Sequence, residues 1–178
     1  MSAAKVYWFW QKRMHVLALD AFGNYREYFF VEIRLSSALH DMLRAHAERV
    51  YPEECVGALL GRMQSNEVNV IEVRPLQNEW QPAGVADSGR DRRTRYRVSP
   101  ATMFALVREE VATGVSLVGF YHSHPDHEAL PSGTDLQEAA IGYIYMIQSV
   151  VIGSSGVLTA WQIEDESSGF VEVDVKIV

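Results

Sequence analysis

Between Gly119 and Asp135 the chain reads GFYHSHPDHEALPSGTD. His122 and His124 stand one residue apart, and after seven residues come Ser132, two more residues and Asp135. If the strand ahead of them continues through both histidines, their imidazoles point to one side, because side chains alternate along an extended segment. With Asp135 as an oxygen ligand they form an N, N, O set. Three such ligands leave the fourth position of a zinc ion open to water, the arrangement of catalytic rather than structural zinc. Zinc lowers the pKa of its water to roughly 7 and polarises a substrate carbonyl. Hydrolysis then needs a carboxylate to carry the proton and a donor facing the developing oxyanion. Ser132 suits the donor role, since positions three apart on a first helical turn share a face. Each piece also has a plainer reading. Ser132-x-x-Asp135 is a helix-capping pattern, His-x-His at a strand end is commonly a surface or hydrogen-bonded pair, and Pro131-Ser132-Gly133 is a turn. The metal reading rests on four polar groups meeting at one strand–loop–helix corner. His127, in the same loop, reads as facing solvent or substrate.

The surrounding elements must hold that corner in place. VSLVGFY is a strand that delivers the histidines, and DLQEAA begins a short helix after them. SSALHDMLRAHAERVY carries apolar residues at helical spacing, with Ser36 or Ser37 as its cap and Pro52 closing it. SPATMFALVREEVATG is a second helix, with Ser99 as cap, Pro100 at its first position and Gly114 as its stop. CVGALLG reads as a buried strand ended by glycine, and EVNVIEVRPL as its alternating neighbour. VLALDAFG and YREYFFVEIRL read as two strands around a turn at Phe22–Asn24. YIYMIQSVVIG, VLTAWQI and VEVDVKIV read as three more strands. The polar stretch from Gln77 to Arg95 is the longest loop. VYWFW near the start carries no clear assignment. Together these predict a mixed α/β fold, with helices packed on a curved sheet.

The 178 residues suit one domain, and the composition, 48% hydrophobic and 22% charged, is that of a globular protein. A formal charge of −7 argues against a protein built to grip a phosphate backbone, so no nucleic-acid partner is expected. One cysteine, Cys55, excludes an internal disulfide and a Cys-rich zinc cluster. It reads as a small apolar residue at a strand start rather than a nucleophile. No apolar run has membrane-spanning length and no signal-peptide core is evident, so the expectation is a cytoplasmic protein with no membrane partner.

His122-Ser-His124-Pro125 followed by Ser132-Gly-Thr-Asp135 resembles the signature of the JAMM (JAB/MPN+) zinc metalloproteases, within their compact prokaryotic, Mec-type branch. The resemblance covers roughly residues 31–178, with RPLQN, YRVSP and YIYMIQSVVIG contributing. It divides the chain into a domain over 31–178 and an N-terminal extension over 1–30, read as a hairpin packed on that domain. It implies a cytidine-deaminase-like curved mixed sheet flanked by helices. One catalytic Zn2+ would sit on His122, His124 and Asp135, with Glu54 of YPEECVGALLGR as general base and Ser132 beside it. Glu53 would be a solvated neighbour. The implied reaction is peptidase or isopeptidase cleavage after the C-terminal Gly-Gly of a ubiquitin-like or sulfur-carrier protein, gripped between the Gln77–Arg95 and Asp126–Pro131 loops. Arg90, Arg92, Arg93 and Arg95 would either meet an acidic carrier surface or form a solvated loop, the plainer reading. Homodimerisation is open. The rivals are a non-catalytic MPN assembly module, which the full ligand set disfavours, and a RadC-like DNA-repair-associated protein, which the acidic balance and Glu54 disfavour. A zinc deaminase would need cysteine ligands.

Overall fold

The structure is a computed structural model that describes residues 16–19, 25–28, 32–64, 67–83, 89–163 and 169–178. Among them, β1 (Val16–Leu19) and β2 (Tyr25–Tyr28) pair antiparallel as a separate two-stranded sheet. The expected turn between them and the VYWFW segment lie outside the described residues. The main sheet has eight described strands in the order β10-β3-β5-β4-β6-β7-β8-β9. They are β3 (Glu32–Leu35), β4 (Val56–Gln64), β5 (Glu67–Leu76), β6 (Ser116–Pro125), β7 (Ile144–Val151), β8 (Ser154–Ile163), β9 (Phe170–Glu172) and β10 (Asp174–Ile177). Four neighbour pairs run antiparallel, while β6 and β7 run parallel, as do β3 with β5 and β3 with β10. This is the expected mixed α/β arrangement.

Three sequence readings change in detail. YREYFFVEIRL is two strands in different sheets, β2 and β3. Gly61 does not end its strand: β4 continues to Gln64, and the register shifts between Leu60 and Gly61. A Cβ there would come within 2.4 Å of the Asn69 carbonyl oxygen, so the glycine marks a close approach at a bulge. VEVDVKIV is also two strands, and these lie at opposite edges of the sheet. Val173 joins them. Its side chain is buried, and its N–H donates to the Ala160 carbonyl at 2.9 Å. The sheet therefore curls until its two edges meet at one residue.

Helix α1 (Ser37–Val50) is capped by Ser36, whose hydroxyl accepts the Leu39 N–H. It packs against β5, β7 and β8, filling the curl with Leu43, His46 and Ala47. Helix α2 (Pro100–Thr113) packs against β6. It is capped by Ser99 and stopped by Gly114 at a φ of 68°. Helix α3 (Gly133–Glu138) is a short element that begins directly after Ser132. Strand β6 divides the interior. Tyr121 belongs to the cluster of apolar residues around α1, while Phe120 belongs to a second cluster with Leu60, Leu106 and Tyr145. Among the described residues no helix is long and apolar enough to cross a membrane.

Candidate metal centre

Strand β6 runs through both histidines, so Phe120, His122 and His124 share one face. The parallel partner β7 and the antiparallel partner β4 hold that stretch from both sides: His122 lies opposite Ile147 and Val56. Opposite the histidine face, the first turn of α3 presents Asp135. Its position is fixed by a reciprocal capping box. The Ser132 hydroxyl accepts the Asp135 N–H at 3.2 Å, and the Asp135 carboxylate accepts the Ser132 N–H at 2.6 Å. The plain capping reading of Ser132-x-x-Asp135 and its placement beside the histidines are thus compatible.

The three groups converge. His122 Nε2 is 3.0 Å from His124 Nε2 and 3.3 Å from Asp135 Oδ1, and His124 Nε2 is 3.6 Å from Asp135 Oδ2. Two ligands each 2.0–2.1 Å from a tetrahedral ion lie roughly 3.3 Å apart; the closest approaches fall around that value, those to Asp135 through its two different oxygens, and one ligand atom from each residue places the set within 4.8 Å. His124 Nδ1 donates to the Glu128 carbonyl at 2.9 Å, which leaves Nε2 with its lone pair free for a metal. All three side chains are buried. The donor set, spacing and tautomer fit a divalent ion such as zinc.

Electrostatics follow from that burial. Desolvation lowers the His122 pKa to about 4, so the ring is neutral and able to ligate. Burial also opposes charge on His124, but the Asp135 carboxylate and the Glu128 carbonyl outweigh it and hold that ring above its ordinary value. Burial alone would raise the Asp135 carboxyl. Hydrogen bonds from His124 and Ser132, with the electrostatic influence of the neighbouring His122 ring, hold it well below the usual carboxylate range. Within this site, the buried His122 Nδ1 has no hydrogen-bond partner among the described residues. The Tyr96 ring stacks on this imidazole, with centroids 4.7 Å apart and planes 29° apart.

Glu54 lies just before β4 and is buried. Its backbone is clamped on both sides: the N–H donates to the Arg92 carbonyl at 2.7 Å, and the carbonyl accepts from Asn78 Nδ2 at 3.1 Å. Its carboxyl faces a narrow cleft shared with Thr94, Arg95, Tyr96, Ser132, Asp135 and Glu138. Desolvation raises its pKa to about 8, tempered by His124 and Arg95 and reinforced by Asp135. Glu53 is partly exposed and lies 4.0 Å from Arg92. Cys55 is buried at the start of β4, with its thiol pushed up to about 12 by burial, and Ser123 Oγ accepts its N–H. His127 is exposed.

Several supporting residues escaped the sequence reading. Asn78 Nδ2 also donates to the Arg95 carbonyl, and its Oδ1 accepts the N–H groups of Trp80 and Arg97. It thereby fastens Glu54 to the segment that carries Tyr96. The arginines of that segment divide. Arg92 donates to the Trp80 carbonyl and Arg95 lines the cleft, whereas Arg93 is exposed beside Asp91. An Asn in the loop just after β5 gives no periodic signal, so only the fold reveals its bonds.

Comparison with known proteins adds the family. A model described as prokaryotic homologs of the JAB domain matches residues 36–164. The chain is 30% identical over 122 residues to the desampylase of Haloferax volcanii, covering 66% of this chain and 80% of that protein. It is 33% identical over 114 residues to a probable TtuB-protein conjugate cleaving protease of Thermus thermophilus, covering 64% and 65% respectively. Among solved structures, a Salinibacter ruber protein superposes with a TM-score of 0.57 at 32% identity, covering 82% of this chain and 90% of that one. A Desulfitobacterium hafniense protein shares the fold with a TM-score of 0.68 at 24% identity, covering 82% and 92%.

Proposed function

Since this chain belongs to the family of prokaryotic homologs of the JAB domain, we propose that it is a zinc peptidase or isopeptidase. It would cleave the bond after the C-terminal Gly-Gly of a ubiquitin-like or sulfur-carrier protein. The observation that carries this reading is the convergence of His122, His124 and Asp135 beside the buried carboxyl of Glu54. Two relatives named as a desampylase and a conjugate-cleaving protease support the substrate class. The catalytic domain is taken as 31–178, with 1–30 as an added segment, a division that the family match beginning at residue 36 supports.

Zinc held by the two Nε2 atoms and the Asp135 carboxylate would supply Lewis acidity and an acidified water. The chain's own groups do the rest. Glu54 takes a proton from the nucleophile and returns it to the leaving nitrogen. Its burial favours the neutral form, so the carboxyl can retain that proton between the two transfers. The Ser132 oxygen is engaged by the Asp135 N–H, which leaves its O–H free to donate to the developing oxyanion. The Glu128 carbonyl holds the His124 tautomer, and Tyr96 shields His122 from water.

The test is intact-mass analysis of ubiquitin-like carriers extended past Gly-Gly, incubated with zinc-loaded protein and with Glu54→Gln. The extension should be lost with the former. Glu54→Gln should retain its metal and lose about 10²–10⁴-fold in rate, the usual worth of a general base. A Glu54→Gln protein as fast as the parent would remove Glu54 from the mechanism.

A further inference from the structure

The bond that fixes the His124 ring comes from a backbone group that must itself be held. Glu128, whose carbonyl accepts from His124 Nδ1 at 2.9 Å, lies in the turn after β6. Both His127 and Glu128 are exposed, so no packing of their own steadies that carbonyl. Its place depends on the residues on either side of the pair, Asp126 and Ala129.

Asp126 takes a left-handed φ of 57°, a conformation that aspartate tolerates better than most side chains. It turns the chain out of β6 while its N–H donates to the Val150 carbonyl at 2.7 Å. Its carboxylate reaches in two further directions. One oxygen accepts the N–H of Ile152 at 2.9 Å, and the other accepts the hydroxyl of Tyr51, also at 2.9 Å. Tyr51 follows α1 directly, and Ile152 opens the tight turn between β7 and β8. Ile152 itself has a φ of 51°, unusual for a β-branched residue, and Gly153 follows at 77°. The carboxylate bond to the Ile152 N–H helps hold that strained turn, so Asp126 joins three elements at one point. On the other side, the Ala129 carbonyl accepts the Thr159 hydroxyl of β8 at 2.5 Å, and Thr159 in turn accepts the Trp161 indole N–H at 2.7 Å.

We propose that Asp126 is a positioning residue for the metal centre: its carboxylate, with Thr159 as second anchor, clamps the turn after β6 so that the Glu128 carbonyl meets His124 Nδ1. It acts through the Glu128 backbone rather than by touching the ion. The inference rests on the proposed metal site and names what orients one of its ligands. A histidine held at its second nitrogen meets the metal with its ring oriented and its proton on the correct atom. Loss of such an outer partner typically costs about 10–100-fold in metal affinity.

The experiment compares the full chain with Asp126→Gly, which keeps the left-handed backbone without the carboxylate, with Asp126→Asn and with Thr159→Val. Zinc affinity is read by competition against a chelator, and folding by thermal melts. The His124 tautomer is read by nitrogen NMR of the metal-free protein at alkaline pH, where the ring is neutral. Asp126→Gly and Thr159→Val should each weaken zinc binding at least about tenfold and shift the ring from the Nδ1–H form toward a mixture. Asp126→Asn, which can accept the Ile152 N–H and donate to the Tyr51 oxygen, should recover most of the affinity. Glu48→Ala is the control. Glu48 accepts the Ser155 N–H at 2.9 Å and so ties α1 to the same hairpin without reaching the turn after β6. Its loss should leave zinc affinity and tautomer as in the parent. Asp126 and Thr159 variants that melt lower but keep the parent's zinc affinity and tautomer, or an equal loss of affinity in Glu48→Ala, would overturn the clamp and leave the metal site standing. A parent that binds no zinc, with a tautomer that still depends on Asp126 and Thr159, would uphold the clamp and overturn the metal reading.

Discussion

At the scale of single residues, buried titratable groups divide by whether a neighbour compensates their burial. Glu54 is pushed up to about 8 because desolvation outweighs the nearby imidazole, so its carboxyl can both take and hold a proton near neutral pH. Asp135 loses its proton because histidines and backbone donors surround it. His46 is a third case, far from the metal in function but tied to the core. Its Nδ1 lies 2.8 Å from the Tyr121 hydroxyl, and burial, with Arg49, lowers its pKa from 6.5 to about 4. The unfolded chain therefore binds an extra proton between those values, so stability rises with pH there and is lost as pH falls from 6.5 through 4. The loss is on the order of 2–3 kcal/mol at the acid end. Urea titrations at pH 7 and pH 4 should show it. His46→Gln, which keeps a partner for Tyr121 but cannot titrate, should lose markedly less stability over that interval. An unchanged pH dependence would place the acid sensitivity elsewhere.

At the scale of elements, the metal ligands depend on how closely β6 and β7 lie. Gly119 pairs with Ile144 at the start of that parallel ladder, and a Cβ there would meet the Ile144 carbonyl oxygen at 2.1 Å. Backbone cannot yield as a flexible side chain would, so Gly119→Ala must part the strands three residues before His122. The expected outcome is a loss of about 1–3 kcal/mol in stability together with weaker metal binding, checked by denaturation and by competition against a zinc chelator. A variant that lost stability but kept the parent's metal affinity would show that β4 alone suffices to hold the histidines. Helix α3 offers the complementary case. Ser132→Ala removes an N-cap worth about 1 kcal/mol and, if the hydroxyl also serves the oxyanion, about 10²–10³-fold in kcat. Thermal melts beside steady-state rates separate the two contributions.

At the scale of the whole molecule, the sheet closes on itself at Val173, where β9 leaves one edge and β10 begins the other. The curled sheet receives one face of α1, whose inward residues pack with Ile33, Leu59 and Met146. Val173→Asp would place a carboxylate at this buried seam. With no cation provided for it, the cost should reach about 3 kcal/mol or more. Circular dichroism melts should register that cost, and a near-neutral result would mean that the seam opens readily and the sheet does not need closure. The net charge of −7 acts at this scale too. It opposes binding to another polyanion, so selection of an acidic partner would have to rely on local arginines rather than on the overall field.

Sequence alone determined the groups that can do chemistry here, because their spacing is local. His122 and His124 fall on one face of any strand, Ser132 and Asp135 on one turn of any helix, and Ser99-Pro100 and Gly114 bound a helix wherever it packs. It also determined which segments would be strands and which amphipathic helices, since apolar periodicity reports burial directly, whereas the mixed sheet was implied by the family resemblance. What only the tertiary structure decided were relations between segments distant in the chain. Asn78 clamps Glu54 to the Arg92–Arg97 segment, Tyr96 covers His122, and Gly61 is a bulge rather than an end because Asn69 approaches it. The run VEVDVKIV alternates like one strand, yet it serves two edges of one sheet, because alternation encodes which face is buried and not which neighbour is paired. Hydrogen bonds across long loops and the curl of a sheet arise from the sum of packing over the whole chain, and that sum leaves no periodic mark on any one segment.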